Sequence, residues 1–190
     1  MARIVITSIG TMGDFVPYVA LAQGLAARGH RVLAAVNTAM HPLFERAGIE
    51  TAACGPSFGP EEARQVARAF DGWQPDTQEL EELDVRINAA ESNYRDLRRI
   101  CRPSDLLLAS TLQYAARQIS KELGIPWISV STTPEEFCHA PEDPYYREPP
   151  AAPLILLVSS PVFSQPKSVW YPTVCATGFW FYAGREQPGW

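Results

Sequence analysis

No stretch of this 190-residue sequence approaches the roughly 18–20 consecutive apolar residues that a membrane-spanning helix needs. The apolar run ahead of the first glycine is also too brief for a secretory signal. Cysteine is sparse. Cys54, Cys101, Cys138 and Cys175 stand far apart, with no Cys-x-x-Cys pair and no paired histidine spacing. Neither a zinc site nor a disulfide framework is therefore expected, no metal is assigned, and a reducing cytoplasm suits the chain. Positive charge is in deficit: the formal net charge is −5, and without a basic stripe a general nucleic-acid binder is excluded. An internal repeat, a Gly-x-Gly-x-x-Gly fingerprint and a Gly-Lys-Ser/Thr phosphate loop are missing as well.

What is present is concentrated in the first thirty residues. Ile4, Val5 and Ile6 form a short apolar run, the pattern of a parallel strand covered on both faces. Gly10 and Gly13 permit a tight turn after it, Pro17 suits the first turn of a helix, and Gly29 suits its end. In open α/β sheets the crevice past a strand's carboxyl end is where ligands bind, and Asp14 stands there.

The same alternation continues. Strands are expected at Arg31–Val36, Ile49–Ala53, Leu106–Ala109 and Trp127–Ser131, with further edge strands at Leu154–Val158 and Thr173–Thr177. Helices are expected at Thr38–Ala47, Glu61–Phe70, Gln78–Cys101 and Leu112–Leu123. In Gln78–Cys101 an apolar stripe (Leu80, Leu83, Ile87, Ala90, Tyr94, Leu97, Cys101) recurs every three or four residues. Arg95, Arg98 and Arg99 load its last turns, where a solvated face matched to the helix dipole is the simplest reading. Strands and helices alternating at this spacing predict an α/β fold with a Rossmann-like, doubly wound parallel sheet over residues 1–158. From Pro134 onward lie 10 of the 17 prolines and 11 of the 20 aromatic residues, so 134–153 reads as a short irregular segment and 159–190 as an extended tail. Trp170, Phe179, Trp180 and Phe181 in that tail must cover something apolar or form a sticky patch.

Three readings of the first loop compete. A nicotinamide or flavin site is the least favoured, because the spacing is Gly10-x-x-Gly13 and Asp14 would repel a pyrophosphate at the helix N-terminus. Asp14 could simply cap the helix, stabilised by its positive end. It could also be a general base, and the two roles are compatible.

The segment Gly10-Thr-Met-Gly-Asp-Phe-Val-Pro17, with Ala20-Leu-Ala22 and Leu25-Ala-Ala-Arg-Gly-His30, resembles the N-terminal acceptor domain of GT-B glycosyltransferases. The pattern is similar to that of the family 28 and family 1 enzymes that glycosylate sterols, macrolides and glycopeptides. Phe44-Glu-Arg-Ala-Gly48, Ser104-Asp-Leu-Leu-Leu-Ala109, Ala115–Pro126, Leu157-Val-Ser-Ser-Pro161 and Thr177-Gly-Phe-Trp180 continue the resemblance in the expected order.

The resemblance implies the N-terminal half of a GT-B fold. It also implies inverting transfer of a hexose from a UDP- or dTDP-sugar to a hydroxyl of a lipid-like or polyketide-like acceptor. Asp14 would be the general base. Gly10, Thr11, Met12, Gly13, Phe15, Trp73, Thr132, Thr133, Phe137 and His139 would surround the acceptor. Many family 1 relatives place His where Asp14 stands, oriented by an Asp where this sequence has Ser110, so no His–Asp dyad is expected. Residues 159–190 would include the start of an interdomain linker. The donor-binding domain, which would hold most of the nucleotide sugar, is not recognisable in the sequence, so the chain alone is expected to be inactive or incomplete. It needs no cofactor of its own. The rival reading is a non-catalytic interaction module or split subunit that docks onto a donor-domain protein in trans. A cytoplasmic protein able to sit peripherally at a membrane surface fits either reading.

Overall fold

In a computed structural model, residues 1–10, 12–56, 90–132, 152–160, 162 and 173–182 are described. The predicted helix at 61–70, the first part of that at 78–101, the segment read as irregular and Trp170 lie wholly or largely outside them. The elements run β1 (Arg3–Thr7), α1 (Met12–Ala27), β2 (Arg31–Val36), a 3₁₀ turn (Thr38–Met40), α2 (His41–Arg46), β3 (Glu50–Ala53), α3 (Ala90–Ile100), β4 (Leu106–Ser110), α4 (Ala115–Leu123), β5 (Trp127–Ser131), β6 (Leu154–Leu157) and β7 (Val174–Ala176).

All seven strands are parallel, in the order β3-β2-β1-β4-β5-β6-β7. The chain steps from β1 outward to β3, then returns past β1 and builds the other side. The direction of winding therefore reverses between β1 and β4, the switch point at which such sheets open a crevice. Leu154–Leu157 was expected at an edge; it lies inside the sheet, because Val174–Ala176 from the stretch read as a tail pairs beyond it.

Strand pleating sends alternate residues to opposite faces. Ile4, Ile6 and Leu108 meet Phe15, Tyr18 and Val19 of α1 and Phe44 of α2 on one face. Val5, Leu107 and Ile155 meet Leu97 of α3 and Ile119 of α4 on the other. Trp180 and Tyr182 pack against the α1 face, which accounts for two tail aromatics, whereas Phe179 and Phe181 are exposed.

Helix α1 begins earlier than its proline suggested. Pro17 was expected in the first turn; it is the sixth helical residue, where it cannot return a hydrogen bond to the Gly13 carbonyl, a cost of roughly 3 kcal/mol. Phe15, Tyr18 and Val19 are fully buried around it, and at about 1.5–3 kcal/mol for each such side chain the packing outweighs that cost. The helix closes at Gly29, whose φ of 83° and amide bond to the Ala26 carbonyl (2.9 Å) form a left-handed stop. In α3, Arg95 pairs with Glu91 and Arg99 with Asp96, while Arg98 reaches Glu122 on α4. These arginines form a solvated, paired face, as the helix-dipole reading expected.

Candidate functional site

The crevice is built first by the turn from β1 into α1. Gly10 has φ 133°, a conformation open to glycine alone, and a methyl group there would lie 2.3 Å from Asp14 Oδ2 and 2.6 Å from its Cγ. The carboxylate therefore lies folded back over the Gly10 backbone. Asp14 is the third residue of α1, inside the helix and past the capping position, so the simple N-cap reading does not describe it. Thr11-x-x-Asp14 has the spacing of a capping box, in which the acid reaches back towards the start of the helix.

The second wall comes from β4. Thr7 pairs with Ala109, so Ser8 and Ser110 are the next neighbours across the switch point, on the α1 face of the sheet. Both are more than nine-tenths buried, and neither hydroxyl has a hydrogen-bond partner among the described residues. Beyond β4, Leu112 and Tyr114 are exposed on the same carboxyl edge. The Tyr18 hydroxyl donates to the Val130 carbonyl at 3.1 Å, which locks α1 onto β5 below the turn.

Of the residues predicted from sequence, Gly10, Met12, Gly13 and Asp14 meet at this turn, with Met12 half-exposed at the mouth. Thr132 follows β5 on the same edge, half-buried and two strands from β1, a lateral separation of about 10 Å. Phe15 is a correction. It was expected to touch an acceptor, but it is wholly buried, edge-on to Phe44 with ring centroids 6.5 Å apart. The helix advances about 100° per residue, so Phe15 points into the core while Asp14, one residue earlier, stays at the turn, and Phe15 supports the turn from beneath. Thr11, Trp73, Thr133, Phe137 and His139 lie outside the described residues. Ser8 and Gln113 were not anticipated. Their signal was the polar ending of strands β1 and β4, but pairing two strands about a hundred residues apart cannot be read locally.

Among the described residues no helix is long and apolar enough to cross a membrane, and no group of three His, Cys, Asp or Glu side chains converges as a metal site.

A parallel sheet wound in this order, opening between β1 and β4 beside a glycine turn with an acid, is the fold of the N-terminal half of GT-B glycosyltransferases. More particularly, residues 4–88 match the glycosyltransferase family 28 N-terminal domain. A sterol 3-beta-glucosyltransferase from Aspergillus terreus is 31% identical over a region covering 70% of this chain and 9% of the fungal protein. The calicheamicin glycosyltransferase CalG4 superposes with a TM-score of 0.70 at 13% identity, covering 94% of this chain and 53% of that one. The Streptomyces sp. SF2575 glycosyltransferase SsfS6, solved with thymidine diphosphate, gives a TM-score of 0.54 at 21% identity, over 87% of this chain and 51% of that one. The chain thus spans about half the length of these solved neighbours and a small part of the fungal relative.

Proposed function

We propose that this domain binds the acceptor of an inverting glycosyl transfer, with Asp14 as general base. The observation that carries the reading is the Asp14 carboxylate, folded over Gly10 at the switch-point crevice beside the N-terminus of α1. The acceptor is a hydroxyl-bearing apolar molecule of the sterol or polyketide kind, by analogy with the sterol glucosyltransferase and the calicheamicin enzyme. Its hydroxyl oxygen attacks the anomeric carbon of a nucleotide sugar. The hydroxyl proton passes to Asp14, and the bond to the nucleotide diphosphate breaks with its electron pair leaving on the phosphate oxygen. Attack opposite the leaving group inverts the anomeric centre. A carboxylate is a weak base toward an alcohol, so its contribution comes from orientation and from late proton transfer, worth about 10²–10⁴-fold in rate.

The nucleotide sugar, UDP- or dTDP-linked, is held mainly by a donor half outside these residues, as the thymidine diphosphate complex of SsfS6 suggests by analogy. Stabilising the departing diphosphate is that half's task. Exposed Met12, Tyr114, Phe179 and Phe181 favour a surface that meets such a half, in the same chain or in trans. Met12, Gly13 and Thr132 line the acceptor side of the crevice.

The test is Asp14→Asn in an enzyme assembled from this domain and a donor half. Transfer falls by two to four orders of magnitude while acceptor affinity, measured by calorimetry, stays unchanged. Activity retained within a few-fold would leave Asp14 a purely structural residue.

A further inference from the structure

On the face of the sheet opposite α1, four buried polar side chains meet beneath the end of β1. Gln113 Nε2 donates to Thr7 Oγ1 at 3.1 Å and to Asn93 Oδ1 at 3.3 Å. Cys54 Sγ lies 3.7 Å from Asn93 Oδ1 and takes a hydrogen bond from Thr7. Thr7, Asn93 and Gln113 are each at least 97% buried. Gly55 closes the group: a methyl there would lie 2.6 Å from Asn93 Oδ1, and its amide donates to Asp96 Oδ2 at 3.0 Å. The Gln113 carboxamide thus ties the end of β1 to the first turn of α3 from the loop after β4, and Cys54 at the end of β3 joins the same group through Asn93 and Thr7.

Two observations separate this from ordinary core filling. Thr7 is three residues before Gly10, so the bond ends on the strand that delivers the Gly10–Asp14 turn. Gln113 Oε1 is also buried with no partner among the described residues, and a half-satisfied buried amide is a poor source of stability. Local rules are broken in this way where a site is being held in place.

We infer that Gln113 is a positioning residue of the crevice: through Thr7 it sets where the β1–α1 turn, and with it the Asp14 carboxylate, sits relative to β4. The inference rests on reading that crevice as the acceptor site. It predicts that loss of either end of the Gln113–Thr7 bond loosens residues 8–14 specifically, rather than the domain as a whole.

The experiment uses the whole 190-residue chain and three variants. Gln113→Met keeps the volume and removes the amide. Thr7→Val removes only the β1 leg. Leu97→Ala destabilises the same core without touching the network. Native-state amide exchange and binding of the fluorescent sterol dehydroergosterol are measured on each. With Gln113→Met and Thr7→Val, exchange at residues 8–14 rises about tenfold above the change elsewhere and the sterol dissociation constant rises about fivefold to tenfold, the scale of one lost buried hydrogen bond. With Leu97→Ala, exchange rises evenly and affinity holds within twofold. Gln113 is not a positioning residue if its variant and Thr7→Val show the even pattern of Leu97→Ala. If the parent chain binds no sterol, the acceptor reading is what fails, and the exchange pattern still decides the role of Gln113.

Discussion

Replacing Gly10 by alanine tests whether the backbone really dictates the pose of the acid. The new methyl group would meet Asp14 Oδ2 at 2.3 Å and the Asp14 Cβ at 3.0 Å, in a backbone with φ 133°. Holding a non-glycine residue in such a region costs about 1–3 kcal/mol. Driving the Asp14 side chain out of its rotamer adds about 0.5–1.5 kcal/mol. The expected loss is therefore about 2–4 kcal/mol, a sizeable share of the roughly 5–15 kcal/mol that holds a domain folded. In urea, with a slope of roughly 2 kcal/mol per M, the midpoint falls by about 1–2 M with the slope unchanged. Part of this loss belongs to the carboxylate alone, so in an Asp14→Ala background Gly10→Ala costs about 1 kcal/mol less, a coupling readable in a double-mutant cycle. A midpoint shift below about 0.25 M, or equal losses in the two backgrounds, would refute the close approach of Gly10 and Asp14.

Other outcomes follow from the buried charges and thiols. Asp105, whose side chain is fully buried, pairs with Arg3 and accepts from the Arg102 amide, while Arg3 also donates to the Ile100 carbonyl. Asp105→Ala strands a largely buried guanidinium and should cost about 3–5 kcal/mol in thermal or urea unfolding, whereas Arg3→Met with Asp105→Leu should recover most of it. Burial, reinforced by Asp96, pushes the Cys54 thiol up to about 12, and burial with Asp105 does the same for Cys101. Because these folded values lie above the ordinary 9.0, the stability they confer is complete below pH 9 and is lost as the pH rises toward 12. An unfolding midpoint that stays flat across that window would contradict this. At pH 8 an alkylating reagent should modify exposed Cys175 well before Cys54 or Cys101, as peptide mapping would reveal.

Much of the fold was legible because each element advertises itself locally. Ile4–Ile6 and Leu106–Leu108 are short apolar runs that only a strand buried on both faces can use, and Gly29 adopts the left-handed stop expected after α1. The Gly10–Asp14 turn was visible for the same reason, since glycine spacing reports backbone geometry directly. Pro17 misled because a local rule about proline was overridden by three fully buried neighbours. Phe15 misled because adjacency in sequence to Asp14 is not adjacency in space on a helix.

By itself, then, the sequence determined the alternation of strands and helices, the parallel sheet and an acid at its first turn, since these follow from periodicity and backbone preference within a few residues. The tertiary structure alone decided that β1 and β4 are neighbours, that Ser8 faces Ser110, and that Gln113 reaches Thr7 across a separation of 106 residues. Those contacts depend on how two cores pack against the two faces of one sheet, and no short stretch of chain contains that information.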